Sequence, residues 1–144
     1  MKITFCGHRE VHDREVVTKW LMTVCSELIA DGAKQFFLGG YGAFDMLCAD
    51  VLRQLKKEHS YIQLCLILPY PDTKKNTTGY DELIYPPLES VPRRYAINRR
   101  NEWMVKSADV VVAYVMRDWG GAATMLLRAQ RLNKQIVCYE NHRL

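Results

Sequence analysis

The sequence predicts an α/β protein built on one mostly parallel sheet. Short, almost continuously apolar segments alternate along the chain with helical patterns that have one apolar face. Strands of this kind are buried on both sides, which happens when helices cover both faces of a parallel sheet. Three of the apolar segments also end in glycine-bearing turns that lead into a helix. The length of 144 residues suits a single core, so we predict one domain over 1–144.

Each predicted element follows from its own pattern. In the first helix apolar residues recur at helical spacing until Asp31 and Gly32 end it, and the second helix follows a glycine turn. The predicted strands cover 3–6, 35–38, 62–68, 110–115 and 136–139, and helices are predicted over 13–30 and 121–132. Right-handed crossovers then favour a Rossmann-like order with the first strand in the centre. The expected domain therefore has three layers, a five-stranded sheet and helices on both faces.

The segment 70–92 interrupts this alternation with prolines and a polar stretch over 74–79. A segment of this length without secondary structure is usually functional or disordered. Because it leaves the sheet at the edge where ligands bind in such folds, one interpretation is a lid over the site. The other is a surface loop or a subunit contact. In a homo-oligomer, a dimer or higher, the contact residues would be Tyr85, Pro86, Pro87 and Leu88.

The composition restricts the classes of function. The formal net charge is +4, and most basic residues are scattered among acidic ones, which does not favour nucleic acid as a partner. No apolar run approaches the roughly 20 residues that span a bilayer, and no signal peptide is apparent at the N-terminus. The five cysteines form no C-x-x-C pair and all lie in predicted apolar faces, which predicts buried free thiols in a reducing cytoplasm. Neither a metal nor a cofactor is expected.

The glycine turns predict an anion-binding edge. They are Gly7-His8-Arg9 after the first strand, 39–45 after the second, and Gly120-Gly121 after the strand over 110–115. The carboxyl ends of parallel strands open on one edge of the sheet, where backbone N–H groups at helix starts can hold a phosphate. The chain contains no P-loop motif, and Asp45 stands where a dinucleotide-binding motif would have its third glycine.

These turns, with Arg99-Arg100-Asn101 ahead of the apolar strand that ends at Tyr114, resemble the SLOG superfamily over nearly the whole chain. The superfamily comprises small Rossmann-like proteins, nucleotide-sensing domains and the Lonely Guy phosphoribohydrolases, and the likeness is greatest to small uncharacterised bacterial and phage members. The resemblance implies a parallel sheet that binds nucleotides or nucleotide-derived ligands.

The resemblance carries the catalytic residues over only in part. Lonely Guy enzymes have an arginine ahead of the fourth strand, matched here by Arg100 or Arg99, and a glycine loop ending in a glutamate that assists N-glycosidic cleavage. Gly120-Gly121 matches that loop, but no glutamate follows it. Cleavage needs a carboxylate, so Asp45 or Asp118 would have to replace it.

Two classes of function follow. The first is a sensor or sequestering module for a nucleoside monophosphate or an ADP-ribose- or NAD-like ligand. The alternative is an N-glycosidase, phosphoribohydrolase-like or deoxyribosyltransferase-like, with Asp45 and Arg100 as the catalytic residues. The candidate ligand-binding residues are Gly7, His8, Arg9, Gly39, Gly40, Tyr41, Gly42, Asp45, Arg99, Arg100, Gly120, Gly121 and Thr124.

Overall fold

The structure, a computed structural model, describes residues 1–72 and 77–140 and confirms the α/β architecture. The strands are β1 (Lys2–Gly7), β2 (Gln35–Leu38), β3 (Gln63–Ile67), β4 (Glu82–Ile84), β5 (Val110–Tyr114) and β6 (Gln135–Cys138). The helices are α1 (Arg14–Ala30), α2 (Ala43–Lys56), α3 (Ala96–Ser107) and α4 (Gly121–Arg131), and a 3-10 turn at Arg93–Tyr95 precedes α3.

All strand pairs are parallel, and their order is β4-β3-β2-β1-β5-β6, so the first strand lies inside the sheet. Alternate residues of each strand point to opposite faces. In β1, Phe5 packs with α1 and α2 in one apolar cluster, whereas Cys6 packs with α3 and α4 in the other. Two cores on opposite sides of one sheet give the three layers.

The sheet has six strands instead of the predicted five. The additional strand, β4, lies in the segment predicted to lack secondary structure, and it pairs with β3 at the edge of the sheet. This segment is also held from α2: Lys56 forms an ion pair with Asp81 at 3.0 Å, and Arg53 Nε donates to the carbonyl of Gly79 at 3.1 Å. The carboxylate of Asp81 in turn accepts the N–H of Leu64 at 2.8 Å.

Two other expectations need adjustment. Pro86 and Leu88, predicted as subunit contacts, are buried within the chain itself, whereas Pro87 is exposed. Cys138 is also exposed, although all five thiols were predicted to be buried. It lies on the edge strand β6, which has a neighbour on one side only. Part of the polar stretch, residues 74–76, lies outside the described residues.

Candidate functional site

A cleft of about 720 Å³ opens at the carboxyl ends of β1, β2 and β5. The predicted residues that line it are Gly7, His8, Arg9, Gly39, Tyr41, Asp45, Arg100 and Gly121. Those that do not are Gly40, Gly42, Arg99, Gly120 and Thr124. Sequence reasoning missed Arg117, Asn98 and Asn101, which also line the cleft. Asn101 adjoins Arg99 and Arg100, and Arg117 lies three residues after the end of β5, so the positions of Asn101 and Arg117 near these motifs were the available signal.

The first turn owes its glycine to packing. A Cβ built on Gly7 would lie 2.8 Å from the Cβ of Phe44 and closer still to its ring. Phe44 is fully buried in the first turn of α2 and stacks on Tyr114, with ring centroids 5.5 Å apart. Gly7 therefore lets α2 approach the end of β1. Close approach of a ligand is not needed to explain it.

His8 connects the end of β1 to the loop after β5. Its Nε2 accepts the backbone N–H of Met116 at 2.9 Å, which requires that nitrogen to be unprotonated. The ring is buried and meets Tyr114 edge-on. Burial, together with the nearby charge of Arg117, lowers the pKa of His8 below its ordinary value. His8 is thus held neutral in the native protein.

We expect this arrangement to make stability depend on pH. The unfolded histidine titrates near pH 6.5 and the folded one lower, so between these values the unfolded chain binds more protons. The contribution of His8 is therefore complete above about pH 6.5 and is lost as the pH falls through the folded pKa. The free energy of unfolding, measured in urea at pH 7.5 and at pH 5, should fall less between these two pH values for His8→Leu than for wild type. His12→Gln, at an exposed histidine, should behave like wild type; equal losses for all three proteins would contradict the assignment.

In the second turn the backbone N–H groups are already hydrogen-bonded to other residues of the protein. The carboxylate of Asp45 accepts the N–H of Gly39 at 3.2 Å through one oxygen and that of Gly40 at 2.5 Å through the other. The first N–H groups of α2 donate to the loop after β1, Ala43 to the carbonyl of Arg9 at 2.8 Å and Phe44 to that of His8 at 3.4 Å. A ligand would have to displace these bonds to use the same donors.

Arg100 ties two strand ends together. Its Nη1 donates to the carbonyl of Gly39 at 3.1 Å and to that of Ile67 at 2.8 Å, and its Nε donates to Oδ1 of Asn101 at 2.8 Å. The side chain is only 2% exposed. Burial lowers the pKa of Arg100, and the negative charge of Asp45 opposes that shift. The adjacent residue Arg99, also predicted to bind the ligand, is exposed to solvent instead.

The third turn leaves its donors open to the cleft. Gly120 has a φ of 92° and precedes α4, where Gly121 and Ala122 line the cleft. Among the described residues, none accepts the backbone N–H groups of Gly121, Ala122 or Ala123. The hydroxyl of Thr124 is occupied by the carbonyl of Gly120 at 3.0 Å. The start of α4 is therefore the part of the cleft best suited to an anion.

Arg117 adds a positive charge beside this helix start. Its guanidinium stacks over the ring of Trp119 at 3.9 Å from the centroid and lines the cleft. No acidic partner within 4.0 Å is found for it in the described part of the chain. An arginine next to helix N–H groups is a common arrangement for phosphate recognition.

Neither a metal centre nor a membrane span is found over 1–72 and 77–140. These residues include no group of three or more histidine, cysteine, aspartate or glutamate side chains placed to hold a metal ion. No helix in these ranges is long and apolar enough to cross a bilayer.

Three solved structures share this Rossmann-like fold. TM1055 is 19% identical to this chain with a TM-score of 0.64, and the match covers 94% of this chain and 71% of TM1055. DNA processing protein A from Helicobacter pylori, which binds single-stranded DNA, is 18% identical with a TM-score of 0.67, and the match covers 100% of this chain and 66% of that protein. The molybdenum cofactor carrier protein from Chlamydomonas reinhardtii is 16% identical with a TM-score of 0.63, and the match covers 95% of this chain and 75% of that protein. The likeness shows the fold alone and is consistent with the SLOG resemblance. No family model matches the chain, and no curated protein matches it.

Proposed function

We propose that this Rossmann-like chain is a SLOG-type protein that binds a nucleotide or nucleotide-derived ligand in the cleft, as a sensor or sequestering module. The ligand would be a nucleoside monophosphate or an ADP-ribose- or NAD-like molecule. The observation that carries the proposal is the open start of α4, where unbonded N–H groups and Arg117 face the same cleft. That a protein of this fold carries the molybdenum cofactor supports small-molecule binding as a use of the architecture.

The rest of the cleft suits the remainder of such a ligand. Tyr41 and Ile97 are exposed apolar side chains on its lining, where a base could stack. Asn98 and Asn101 add amide groups that can hydrogen-bond a ribose or a base. A phosphate at α4 and a base near Tyr41 would together occupy both ends of the cleft.

Calorimetric titration with AMP, NAD and ADP-ribose tests the proposal directly. We expect at least one of these to bind with a dissociation constant in the micromolar range, about −8 kcal/mol. Adenosine, which has the base and ribose but no phosphate, should bind much more weakly because it leaves the α4 donors unused. Absence of binding by all three phosphate-bearing compounds at millimolar concentration would contradict the proposal.

A substitution at the start of α4 should weaken binding without disturbing the fold. Proline is tolerated at the first position of a helix, so Gly121→Pro removes one N–H donor at little structural cost. Loss of a hydrogen bond to a charged group corresponds to about a 10- to 100-fold higher dissociation constant. The matched control is Gly121→Ala, since a Cβ at this position meets nothing within 4 Å. If both variants bind equally well, the N–H of Gly121 is not used.

The N-glycosidase alternative would use Asp45 and Arg100. The bonds of these side chains to Gly39, Gly40 and Ile67 give both of them structural roles, which favours the binding function. Incubation with AMP, NAD and ADP-ribose followed by chromatography for released base separates the two. Base release by wild type that Asp45→Asn abolishes would establish the enzyme and exclude a pure binder.

A further inference from the structure

The backbone N–H groups of Gly39 and Gly40 hold an anionic group that comes from the same chain, the carboxylate of Asp45. Two successive backbone N–H groups converge on one carboxylate, each donating to a different oxygen of Asp45. Gly40 has a φ of 77°, the left-handed conformation that aims consecutive N–H groups at one point. Such concave backbone sites bind phosphates and carboxylates in proteins generally.

A buried cation lies next to this backbone site. The Arg100 guanidinium would be 3.2 Å from a Cβ built on Gly39, and it donates to the carbonyl of the same residue at 3.1 Å. Two N–H donors and an adjacent guanidinium are what a phosphate or carboxylate needs. Asp45 supplies that negative charge from within the chain.

The third glycine turn can be compared with the second at the position of Asp45. Both turns have a glycine with positive φ directly before the helix, Gly42 at 87° and Gly120 at 92°. They differ at the third helical residue, which is Asp45 in α2 and Ala123 in α4. The carboxylate folds back onto the turn in the first case, whereas the methyl group of Ala123 cannot.

We propose that Asp45 is a specificity-determining residue that acts as a built-in anion. Its carboxylate occupies the Gly39–Gly40 backbone site and excludes a phosphate from the β2 half of the cleft. In terms of the proposed function, on which this part rests, the ligand carries its negative charge at the α4 end and a neutral group at the β2 end. A ligand with anionic groups at both ends is rejected.

The backbone site can be tested with inorganic phosphate alone. Asp45→Ala leaves two donors without an acceptor, so its Tm should fall by about 5 °C. Phosphate at millimolar concentration should restore most of this loss, whereas chloride at equal ionic strength should not. Wild type should gain clearly less Tm from phosphate than the variant does. Asp45→Asn, which keeps the side-chain shape, should give a smaller loss and a smaller rescue. It also serves as the test protein if the alanine variant does not fold.

Equal phosphate effects on wild type and on the Asp45 variants would overturn the inference. The reciprocal variant, Ala123→Asp, places a carboxylate at the matching position of α4. It should no longer bind the nucleotides that the wild-type protein binds. Phosphate rescue of Asp45→Ala without nucleotide binding by wild type would uphold the backbone site and refute the proposed function. Nucleotide binding by wild type without phosphate rescue of Asp45→Ala would support the proposed function and refute the backbone site.

Discussion

Gly7→Ala is expected to lower the free energy of unfolding by about 3 kcal/mol, the upper part of the usual range for overpacking a core. The new methyl group would overlap Phe44 at its Cβ, which is 2.8 Å away and fixed to the backbone of α2. Rotation of the Phe44 ring cannot relieve that contact, so the first turn of α2 must move away from β1. Urea unfolding of both proteins measures the effect.

A double-mutant cycle identifies the cause. Phe44→Ala removes the ring atoms that lie nearest to the new methyl group and should itself cost about 3–5 kcal/mol. In that background only the contact with the Cβ of residue 44 at 2.8 Å remains, so Gly7→Ala should cost about 1–2 kcal/mol, clearly less than in wild type. Additive costs would show that the strain arises elsewhere. A cost below about 0.5 kcal/mol for Gly7→Ala alone would contradict the packing explanation.

Arg100→Met should destabilise the protein by about 3–5 kcal/mol, as expected when one partner of a buried charged network is removed. The variant leaves the carbonyls of Gly39 and Ile67 without their donor and takes a positive charge away from Asp45. Arg100→Lys should also destabilise the protein, because an ammonium group cannot reproduce the planar guanidinium that reaches the two carbonyls and Asn101.

The adjacent residue provides the control. Arg99 lies on the same helix but is exposed, so Arg99→Met should change stability by no more than about 0.5 kcal/mol. Thermal and urea unfolding of the Arg100 and Arg99 variants under one set of conditions would decide the matter. Similar stabilities for Arg99→Met and Arg100→Met would contradict a structural role for the Arg100 network.

The architecture could be predicted because its signals are local. The apolar run Val110–Tyr114 is fully buried, and a run of that kind reads as an interior strand without further information. The edge strand Glu82–Ile84 gave no such signal, since it has three residues, of which two are exposed. Pairing with β3, rather than its own composition, makes it a strand.

The cleft was harder to predict because its contacts join distant residues. The glycine turns lie at the edge of the sheet where the cleft opens, but nothing near Gly7 in the sequence indicates that the packing of Phe44 requires a glycine there. Likewise, a carboxylate early in a helix is favoured by the dipole anyway, so the sequence could not tell that Asp45 folds back onto Gly39 and Gly40. The sequence left open whether Arg99 or Arg100 faces the cleft, and it did not indicate that the inward one bonds to strand ends.

The position of β1 between β2 and β5 has a consequence for the order of folding. Pairs between β1 and β2 are 33 residues apart in sequence, as are Thr4 and Phe37, whereas pairs between β1 and β5 are 107 residues apart, as are Ile3 and Val110. Closing the longer loop costs about 1 kcal/mol more entropy. We therefore expect the N-terminal strands to assemble first and the segment from β5 onward to dock later. The cleft is lined from both sides of that late junction, so the proposed binding site is complete only when the two halves of the sheet have met.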